Sequence, residues 1–333
     1  MKAAWAGVAA GLAMMASVAL ADQAAFDLQG HRGARGLAPE NSLAGFAEAL
    51  SIGVTTLELD VGISRDGVVM VSHNRRLSPD ITRDASGEWL RGDGPVLWSL
   101  SRAELETFDI GRINPASRYA RKYPDQTSRD GSRMPTLGEV FALAERAGNG
   151  DVRFNIETKT SPLEADLTLL PEAFVEAVLT VIRRAGMAER VTIQSFDWRT
   201  LRQVQIQAPG MVTAYLTAQQ GWLDNIRTGE AGPSPWTAGL DIDDHGGNVA
   251  ALVAAAAGGA VWAPYHREVD RAGVVDAHAR GLAVKVWTVN DEVCMNQLID
   301  LGVDGIITDY PDRLRRVMAS RNMRLPPSTP VSP

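Results

Sequence analysis

The stretch TLELDVGISRDGVVMVSH, residues 56–73, contains two runs of β-branched and apolar residues with a turn between them. Only six residues separate Thr56–Val61 from Val68–His73, whereas a crossover between parallel strands needs about a dozen or more. Asp66-Gly67 is a hairpin turn signal. We therefore predict that Val68–His73 returns antiparallel to the first run and brings His73 level with Asp60.

Short apolar runs alternate with stretches of helical period over most of the chain, a pattern typical of βα units. The predicted parallel strands are Phe26–His31, Thr56–Val61, Val152–Lys159, Val191–Phe196, Val212–Leu216, Ala260–Pro264, Ala283–Val289 and Gly305–Thr308. The predicted helices are Ser42–Ile52, Thr136–Ala147, Glu164–Ala185, Trp198–Gln207, Gly247–Ala257, Arg271–Arg280, Asp291–Leu301 and Asp312–Met318. Eight such units predict an α/β protein of the TIM (β/α)8 barrel type, with a β-hairpin at the second strand.

Residues 75–134 interrupt this alternation. They combine Arg, Asp, Gly, Ser and Pro with isolated aromatic residues such as Trp89 and Tyr119, and they show no sustained period. We predict an insertion at the barrel rim with the character of an irregular lid. The catalytic barrel would then cover residues 22–323, and the proline-rich residues 324–333 would form a disordered tail.

The beginning of the chain has the pattern of a secretory signal peptide. Lys2 precedes a mostly apolar run, and Ala19-Leu20-Ala21 places small residues at the two positions that a signal peptidase reads. A retained transmembrane anchor is the alternative, but the run is only about as long as the shortest spanning helix. We expect residues 1–21 to be removed and the mature protein to be soluble and exported, either periplasmic or secreted.

Composition excludes several classes of function. The 333 residues include 33 Lys and Arg against 40 Asp and Glu, a formal charge of −7, so we expect no binding to a nucleic-acid backbone. Cys294 is the one cysteine of the sequence, which excludes an intramolecular disulfide and a cysteine-rich zinc site. Histidines, carboxylates, lysines and arginines must therefore carry any chemistry.

Candidate functional residues gather at the ends of the predicted strands, where barrel enzymes place their active sites. The relevant stretches are Gly30-His31-Arg32-Gly33, Glu58-Leu59-Asp60, His73 and Glu157-Thr158-Lys159. Because residues i and i+2 of a strand share a face, three carboxylates and one lysine should converge at the barrel mouth.

Such an acidic cluster requires compensating positive charge. One interpretation is a layer of salt bridges with Arg and Lys; the other is a site for a hard cation such as Ca²⁺ or Mg²⁺, which prefers oxygen ligands. His31 and His73 are two of only five histidines, and both are suited to proton transfer. Arg32 and Lys159 would provide charge for an anionic, phosphate-containing substrate.

Several motifs also match one known family, in order, along almost the whole mature chain. They are His31-Arg32-Gly33, Pro39-Glu40-Asn41, Leu57-Glu58-Leu59-Asp60-Val61, Asp66-Gly67, Val71-Ser72-His73, Glu157-Thr158-Lys159, Gln194-Ser195-Phe196, Val286-Trp287-Thr288-Val289-Asn290 and residues 302–311. Together they resemble the motifs of glycerophosphodiester phosphodiesterases, and the insertion after His73 resembles that family's insertion domain.

The resemblance implies a TIM barrel that hydrolyses glycerophosphodiesters to sn-glycerol 3-phosphate and an alcohol, with a divalent metal ion as cofactor. The glycerol 2-hydroxyl would attack phosphorus, with His31 as the first base and His73 as the first acid. The implied roles are acid–base catalysis for His31 and His73, metal binding for Glu58, Asp60 and Glu157, phosphate contacts for Arg32 and Lys159, support of the site for Glu40, and a place at the substrate-binding mouth for Phe196 and Trp287.

One residue departs from the family pattern. Asn74 stands where the family usually has Asp, and it lacks the charge that would raise the pKa of His73.

Two other functions stay open. A phospholipase D-like enzyme acting on lysolipids or sphingolipids would need an apolar groove, for which residues 75–134 offer few contiguous apolar residues. A binding protein without turnover would be expected to lack one catalytic histidine. All three interpretations expect a small-molecule ligand and no stable membrane insertion after signal cleavage.

Overall fold

Eight parallel strands close into a barrel in the computed structural model, which describes residues 26–257 and 261–333. The strands are β1 (Asp27–Gly30), β2 (Thr56–Ile63), β3 (Arg153–Thr158), β4 (Val191–Ser195), β5 (Val212–Thr217), β6 (Val261–Pro264), β7 (Ala283–Val286) and β8 (Gly305–Thr308). Each strand pairs with its neighbours in chain order, and β8 pairs with β1 to close the ring. The prediction of a TIM barrel is confirmed.

One main helix follows each barrel strand. These helices are α1 (Leu43–Ile52), α2 (Leu137–Arg146), α3 (Pro171–Arg184), α4 (Trp198–Gln207), α5 (Val249–Ala257), α6 (Arg271–Ala279), α7 (Glu292–Leu301) and α8 (Pro311–Ser320). The prediction that the third helix begins at Glu164 was wrong. Pro171 is the first residue of α3, because proline fits the first turn of a helix but not its interior.

The alternation of side chains along β2 explains how the barrel supports both a core and a polar mouth. Leu57 and Leu59 are fully buried in the main hydrophobic core. Glu58, which points to the opposite face, accepts a hydrogen bond at 2.6 Å from Gln194 Nε2 inside the barrel. Asn155 in turn donates to Gln194 Oε1 at 2.9 Å, so polar side chains inside the barrel are linked from one strand to the next.

A short return strand, Val69–Val71, pairs antiparallel with the end of β2, as the spacing predicts. Gly67 lies in the turn between them with φ of +80°, a conformation that favours glycine. After the return strand, the Ser72 N–H donates to the Asp60 carbonyl oxygen at 2.9 Å. This pairing brings the backbone beside His73 level with Asp60.

The insertion, residues 75–134, packs around a small apolar core of its own and is largely irregular. A four-residue helix, Arg102–Leu105, was not predicted; it begins with a capping box formed by Ser101 and Glu104. The other helical elements that the structure shows in the insertion are two 3₁₀ turns, Leu97–Ser99 and Ala120–Lys122. The buried residues of the small core, which includes one residue of the return strand, are Met70, Leu77, Leu97, Leu105, Ile110 and Met134.

The C-terminal residues 324–333, for which the proline content predicts a disordered tail, form hydrogen bonds with two barrel helices. They contain no helix or strand, but the Thr329 N–H donates to the Leu50 carbonyl oxygen at 2.9 Å. The Pro326 carbonyl oxygen accepts a hydrogen bond from Arg315 at 2.7 Å. The tail thus supplies a donor to a carbonyl at the end of α1, where intrahelical partners are lacking. Proline prevents regular secondary structure in this segment but does not prevent such contacts.

Two sequence predictions lie outside the described residues. These are the signal peptide, residues 1–21, and Ala260, the expected first residue of the sixth barrel strand. Among the residues that the structure describes, no helix is both long enough and apolar enough to cross a bilayer.

Candidate active site

Three carboxylates meet at the C-terminal end of the barrel. Glu58 and Asp60 lie on one face of β2, and Glu157 on β3 is the direct neighbour of Asp60 in the strand register. One oxygen of each carboxylate lies within 4.8 Å of the others, and all three residues are buried. The structure therefore brings together the three residues that the sequence indicates as metal ligands.

The three carboxyl groups have different electrostatic environments. Burial raises the pKa of Glu58 well above its usual value, and the charges of Asp60 and Glu157 add to this effect. Burial also raises the pKa of Glu157, to about 7, although the nearby Lys159 acts against it. At Asp60 the effect of burial is outweighed, chiefly by Arg32, so its pKa is lowered. The cluster can therefore hold a proton at neutral pH that a metal ion would displace.

Glu40 holds Arg32 in place at the edge of this cluster. Glu40 Oε1 accepts a hydrogen bond from Arg32 Nη1 at 2.7 Å, and its other oxygen accepts one from the Tyr119 hydroxyl. Arg32 Nε lies 3.2 Å from Asp60 Oδ2. The backbone of Arg32 has φ of +52°, an uncommon value for a residue with a side chain, and it requires such support. Glu40 thus contacts the arginine that the sequence indicates for phosphate binding.

Lys159 partly neutralises the cluster. Its Nζ atom lies 2.7 Å from Glu157 Oε1 and 3.5 Å from Asp60 Oδ1. The salt-bridge layer that the sequence allows is therefore present for two of the carboxylates. Glu58, by contrast, forms no ion pair with a lysine or arginine in the part of the chain that the structure describes.

The donor set fits a divalent cation. Asp60 Oδ1 is buried and receives no hydrogen bond, although Lys159 lies within ion-pair distance. The three carboxylates outnumber the two cationic side chains, Arg32 and Lys159, that contact them. Oxygen-only ligands are typical of hard divalent ions. The triad of Glu58, Asp60 and Glu157 is therefore a candidate divalent metal site.

His31 is oriented by a carboxylate from the opposite end of the chain. Its Nδ1 atom lies 2.7 Å from Asp309 Oδ1, and Arg35 donates to both oxygens of Asp309 at 2.7 and 3.1 Å. Burial and the charge of Arg35 lower the pKa of His31 to about 4, with Asp309 acting against them. The imidazole is thus neutral at pH 7, and donation from Nδ1 to Asp309 leaves Nε2, 3.9 Å from Glu58 Oε2, able to accept a proton.

His73 has a neutral hydrogen-bond partner instead of a carboxylate. Its Nδ1 atom lies 2.5 Å from Asn74 Oδ1, so the amide oxygen can accept the Nδ1 proton. Burial lowers the pKa of His73 well below its ordinary value, and the charge of Arg32 lowers it further, while Asp60 acts in the other direction. The two histidines at the mouth therefore differ in the charge of the group that holds Nδ1.

Phe196 and Trp287 contact each other across the mouth. Their ring centroids lie 5.3 Å apart with an interplanar angle of 86°. Phe196 follows β4 and Trp287 follows β7, and two further strands lie between these in the barrel. Rings that follow two strands so far apart in the barrel can meet only if both project inward, so both lie at the mouth.

Gln194 and Asp309 lie in motifs that resemble the family but were not predicted as functional residues, and Arg35 lies in none of those motifs. Asp309 directly follows β8, and Gln194 on β4 is the register partner of Glu157. The criterion of strand ends could therefore have identified both residues. Tyr119 had no comparable signal, because it belongs to the irregular insertion.

Fold and site together define a class of protein: a TIM-barrel enzyme with a buried acidic centre and two histidines at the mouth. The model of the glycerophosphoryl diester phosphodiesterase family matches residues 31–313 of the sequence. The chain belongs to this family. It is accordingly a phosphoric diester hydrolase acting on glycerophosphodiesters.

Individual relatives agree with this assignment. A glycerophosphodiester phosphodiesterase of Caldanaerobacter subterraneus subsp. tengcongensis is 28% identical over 284 residues, which is 85% of this chain and 94% of the relative. The crystal structure of a Silicibacter pomeroyi DSS-3 protein, provisionally named a glycerophosphoryl diester phosphodiesterase, is 36% identical with a TM-score of 0.77, covering 90% of this chain and 95% of that one. A phosphodiesterase of Oleispira antarctica shares the fold, with 23% identity and a TM-score of 0.62 over 87% of this chain and 96% of its own.

Proposed function

We propose that this enzyme forms sn-glycerol 3-phosphate and an alcohol from glycerophosphodiesters, with His31 and His73 as the proton-transfer groups. The observation that supports this most directly is that the histidines adjoin one buried acidic triad at one barrel mouth: His31 Nε2 lies 3.9 Å from Glu58, and the return strand carries His73 to the level of Asp60. The Oleispira antarctica relative was solved with sn-glycerol 3-phosphate as its product.

Arg32 and Lys159 are suited to hold the phosphate group. Both lie against the carboxylates, Arg32 at 3.2 Å and Lys159 at 3.5 Å from Asp60. A divalent ion bound to the triad would supply charge stabilisation for the phosphate oxygens. With the carboxylates neutralised in that way, the two side chains can turn their donors to the substrate, and the guanidinium can bind two phosphate oxygens at once.

His31 acts as the first base in this proposal. Its Nε2 atom accepts the proton of the glycerol 2-hydroxyl, whose oxygen attacks phosphorus in line with the leaving alcohol. The Asp309 carboxylate, 2.7 Å from Nδ1, stabilises the imidazolium that forms. The internal hydroxyl is favoured over water because it is already held next to the phosphate.

His73 acts as the first acid and protonates the oxygen of the departing alcohol. Its partner Asn74 is neutral, so the imidazolium of His73 is less stabilised than that of His31 and gives up its proton more readily. The negative charge of the bound diester favours protonation of His73 before the reaction. Attack by the 2-hydroxyl oxygen and departure of the alcohol leave a cyclic glycerol phosphate. In the second half of the reaction the histidines exchange roles, and water opens this cyclic phosphate to yield sn-glycerol 3-phosphate.

The preferred substrates are deacylated head groups. A groove between the insertion and the mouth is predominantly polar, and the residues that line it include His73, Asn74, Arg75, Arg76, Asp93, Lys159 and Glu164. A long acyl chain would gain little by burial there. This favours glycerophosphodiesters over the lysolipids or sphingolipids of a phospholipase D-like enzyme.

We also propose Ca²⁺ or Mg²⁺ for the triad and export for the protein. The site offers carboxylate oxygens and no thiolate, which suits a hard ion better than Zn²⁺.

The proposal of export rests on the apolar run and the Ala19-Leu20-Ala21 site at the beginning of the sequence. N-terminal sequencing of protein from the periplasm or the medium should show a chain that begins at Asp22. An intact N-terminus would contradict export.

One assay tests the activity. Purified protein is incubated with glycerophosphocholine or lysophosphatidylcholine, with and without chelator; released choline is detected with choline oxidase, and glycerol 3-phosphate through its dehydrogenase. We expect both products from glycerophosphocholine and no choline from lysophosphatidylcholine, with loss of activity on chelation and its recovery with Ca²⁺ or Mg²⁺. The variants His31→Ala and His73→Ala should each lower kcat by about 10²-fold or more. Near wild-type kcat in either variant would remove that histidine from the mechanism.

A further inference from the structure

The barrel mouth has two halves of different chemistry. The ends of β8, β1, β2 and β3 carry the carboxylates, histidines and lysine of the candidate site. The other four strand ends, β4 to β7, contribute aromatic rings. These are Phe196 after β4, Trp222 in the loop after β5, Tyr265 after β6 and Trp287 after β7.

The four rings form one continuous surface, which we call the aromatic wall. The centroid of Trp222 lies 5.6 Å from that of Tyr265 and 6.0 Å from that of Trp287. Tyr265 and Trp287 are 5.5 Å apart, and Trp287 meets Phe196 at 5.3 Å. Phe196 lies two residues beyond Gln194, the register partner of Glu157, so the wall begins beside the acidic triad.

Trp222 is exposed, but the hairpin that carries it is anchored. Strands Gln219–Gln220 and Leu223–Asp224 pair antiparallel on either side of the tryptophan. Asn225, which is fully buried, follows the hairpin and donates to the carbonyl oxygens of Leu216 at 3.0 Å and Phe196 at 3.4 Å. The hairpin is thereby fixed to the ends of β4 and β5.

The exposure of this anchored residue indicates a binding role. Trp222 is 61% exposed, although tryptophan is highly buried on average, and its ring still contacts two other rings of the wall. Burial of such a ring against a ligand is favourable, both through its apolar area and through its electron-rich face.

A carboxylate adjoins the wall as well. Glu268 Oε1 accepts hydrogen bonds from the Gln219 N–H at 2.8 Å and from Gln220 Nε2 at 2.6 Å, within three residues of Trp222. Arg227 lines the same groove as Trp222, and its charge is paired with that of Glu230 at 3.6 Å. The wall therefore combines aromatic faces with a neighbouring negative charge.

We propose that the aromatic wall binds the alcohol part of the diester, and that Trp222 and Tyr265 select alcohols carrying a quaternary ammonium group, of which choline is the simplest. Such cations bind over the faces of tryptophan and tyrosine rings. With the phosphate held by the polar half of the mouth, the leaving alcohol extends toward the aromatic half. This inference rests on the proposed function, because it concerns the substrate of the same site.

The test compares three diesters: glycerophosphocholine, its neutral carbon analogue glycerophospho-3,3-dimethylbutanol, and glycerophosphoglycerol. The first two have nearly the same shape and differ in charge. We expect the wild-type enzyme to show kcat/KM for the choline ester about fivefold or more above that for the analogue. Trp222→Leu should lose this preference, and Trp222→Phe should retain part of it. Tyr265→Leu should reduce it as well.

Ile206→Ala is the matched control, because Ile206 is 65% exposed on α4 and is not part of the wall. It should leave all three kcat/KM values unchanged. Equal kcat/KM for the choline ester and its analogue in the wild type would overturn the proposal. So would a preference that Trp222→Leu leaves intact. Failure to hydrolyse any of the three diesters would instead contradict the proposed function.

Discussion

His31 and Asp309 stand 278 positions apart in the sequence, and their side chains meet at 2.7 Å across the seam between the first and last barrel strands. His31 follows β1 and Asp309 follows β8. The orientation of the imidazole therefore depends on closure of the barrel by its last strand. This arrangement gives the proposed base a carboxylate that can accept its Nδ1 proton and a charge that stabilises its protonated form.

Asp309→Asn should lower kcat by about 10²- to 10⁴-fold, because the amide removes that charge and can select the wrong imidazole tautomer. Steady-state kinetics with glycerophosphocholine would measure the effect, with circular dichroism to monitor folding. The single variant also leaves Arg35 buried without its counter-ion, which destabilises the protein.

The double variant Arg35→Met/Asp309→Asn separates these two effects, since it removes both members of the ion pair. We expect it to recover stability but to stay slow. Recovery of wild-type kcat in the double variant would mean that Asp309 serves only to neutralise Arg35.

Asn74→Asp should move the alkaline limb of the pH–rate profile to higher pH by about one unit or more. The pKa of His73 is lowered by burial and nearby cations, and a carboxylate beside Nδ1 would raise it. A histidine acting as the acid stays protonated up to its pKa, so a raised pKa extends activity upward in pH. Asn74→Ala, which removes the hydrogen bond without adding charge, should not produce this shift. An unchanged alkaline limb in Asn74→Asp would exclude His73 as the group that titrates there.

Gly67→Val should reduce activity more than its effect on stability explains. The backbone at Gly67 has φ of +80°, so a β-branched residue forces the turn to rearrange and displaces the return strand that leads to His73. Gly186→Val is the matched control, because Gly186 also has positive φ and open space around it, but it follows α3 away from the hairpin. Both variants should lower Tm, and only Gly67→Val should also lower kcat at temperatures where the protein is folded. Similar kcat losses in both would refute the coupling.

Binding of Ca²⁺ or Mg²⁺ at pH 7 should release about one proton or more, because Glu58 and Glu157 have raised pKa values in the metal-free protein. Titration calorimetry in two buffers of different ionisation enthalpy would measure the release. The ion should also raise Tm, since it stabilises the folded state by about 2.7 kcal/mol at a concentration of 100 times Kd. Glu58→Gln should weaken both effects, whereas Glu176→Gln, at an exposed position on α3, should not. Metal binding without proton release would contradict the raised pKa values.

The barrel could be predicted because each βα unit leaves a local signal. Alternating or continuous apolar residues mark the strands, and helical periodicity marks α1 to α8. The return strand was predictable for a different reason: six residues cannot form a parallel crossover, so the chain had to reverse at Asp66-Gly67.

What could not be predicted depends on contacts between distant segments. Tyr119 reaches Glu40 from an insertion without periodicity, and Trp222 meets Tyr265 through a hairpin of two-residue strands. The contacts of the C-terminal segment are of the same kind, because hydrogen bonds such as that from Thr329 to Leu50 join positions 279 residues apart. Local composition contains no information about such partners.

His73 lies two residues before the first residue of the insertion, and this position has a structural consequence. The return strand is held from both sides: Val71 pairs with Val61 on β2, and its N–H donates to the carbonyl oxygen of Pro135, where the insertion ends, at 2.8 Å. The sixty residues of the insertion therefore leave and rejoin the barrel beside one histidine. A change in how the insertion packs against the return strand would shift the imidazole of His73, and with it the reaction rate, without replacing a catalytic side chain.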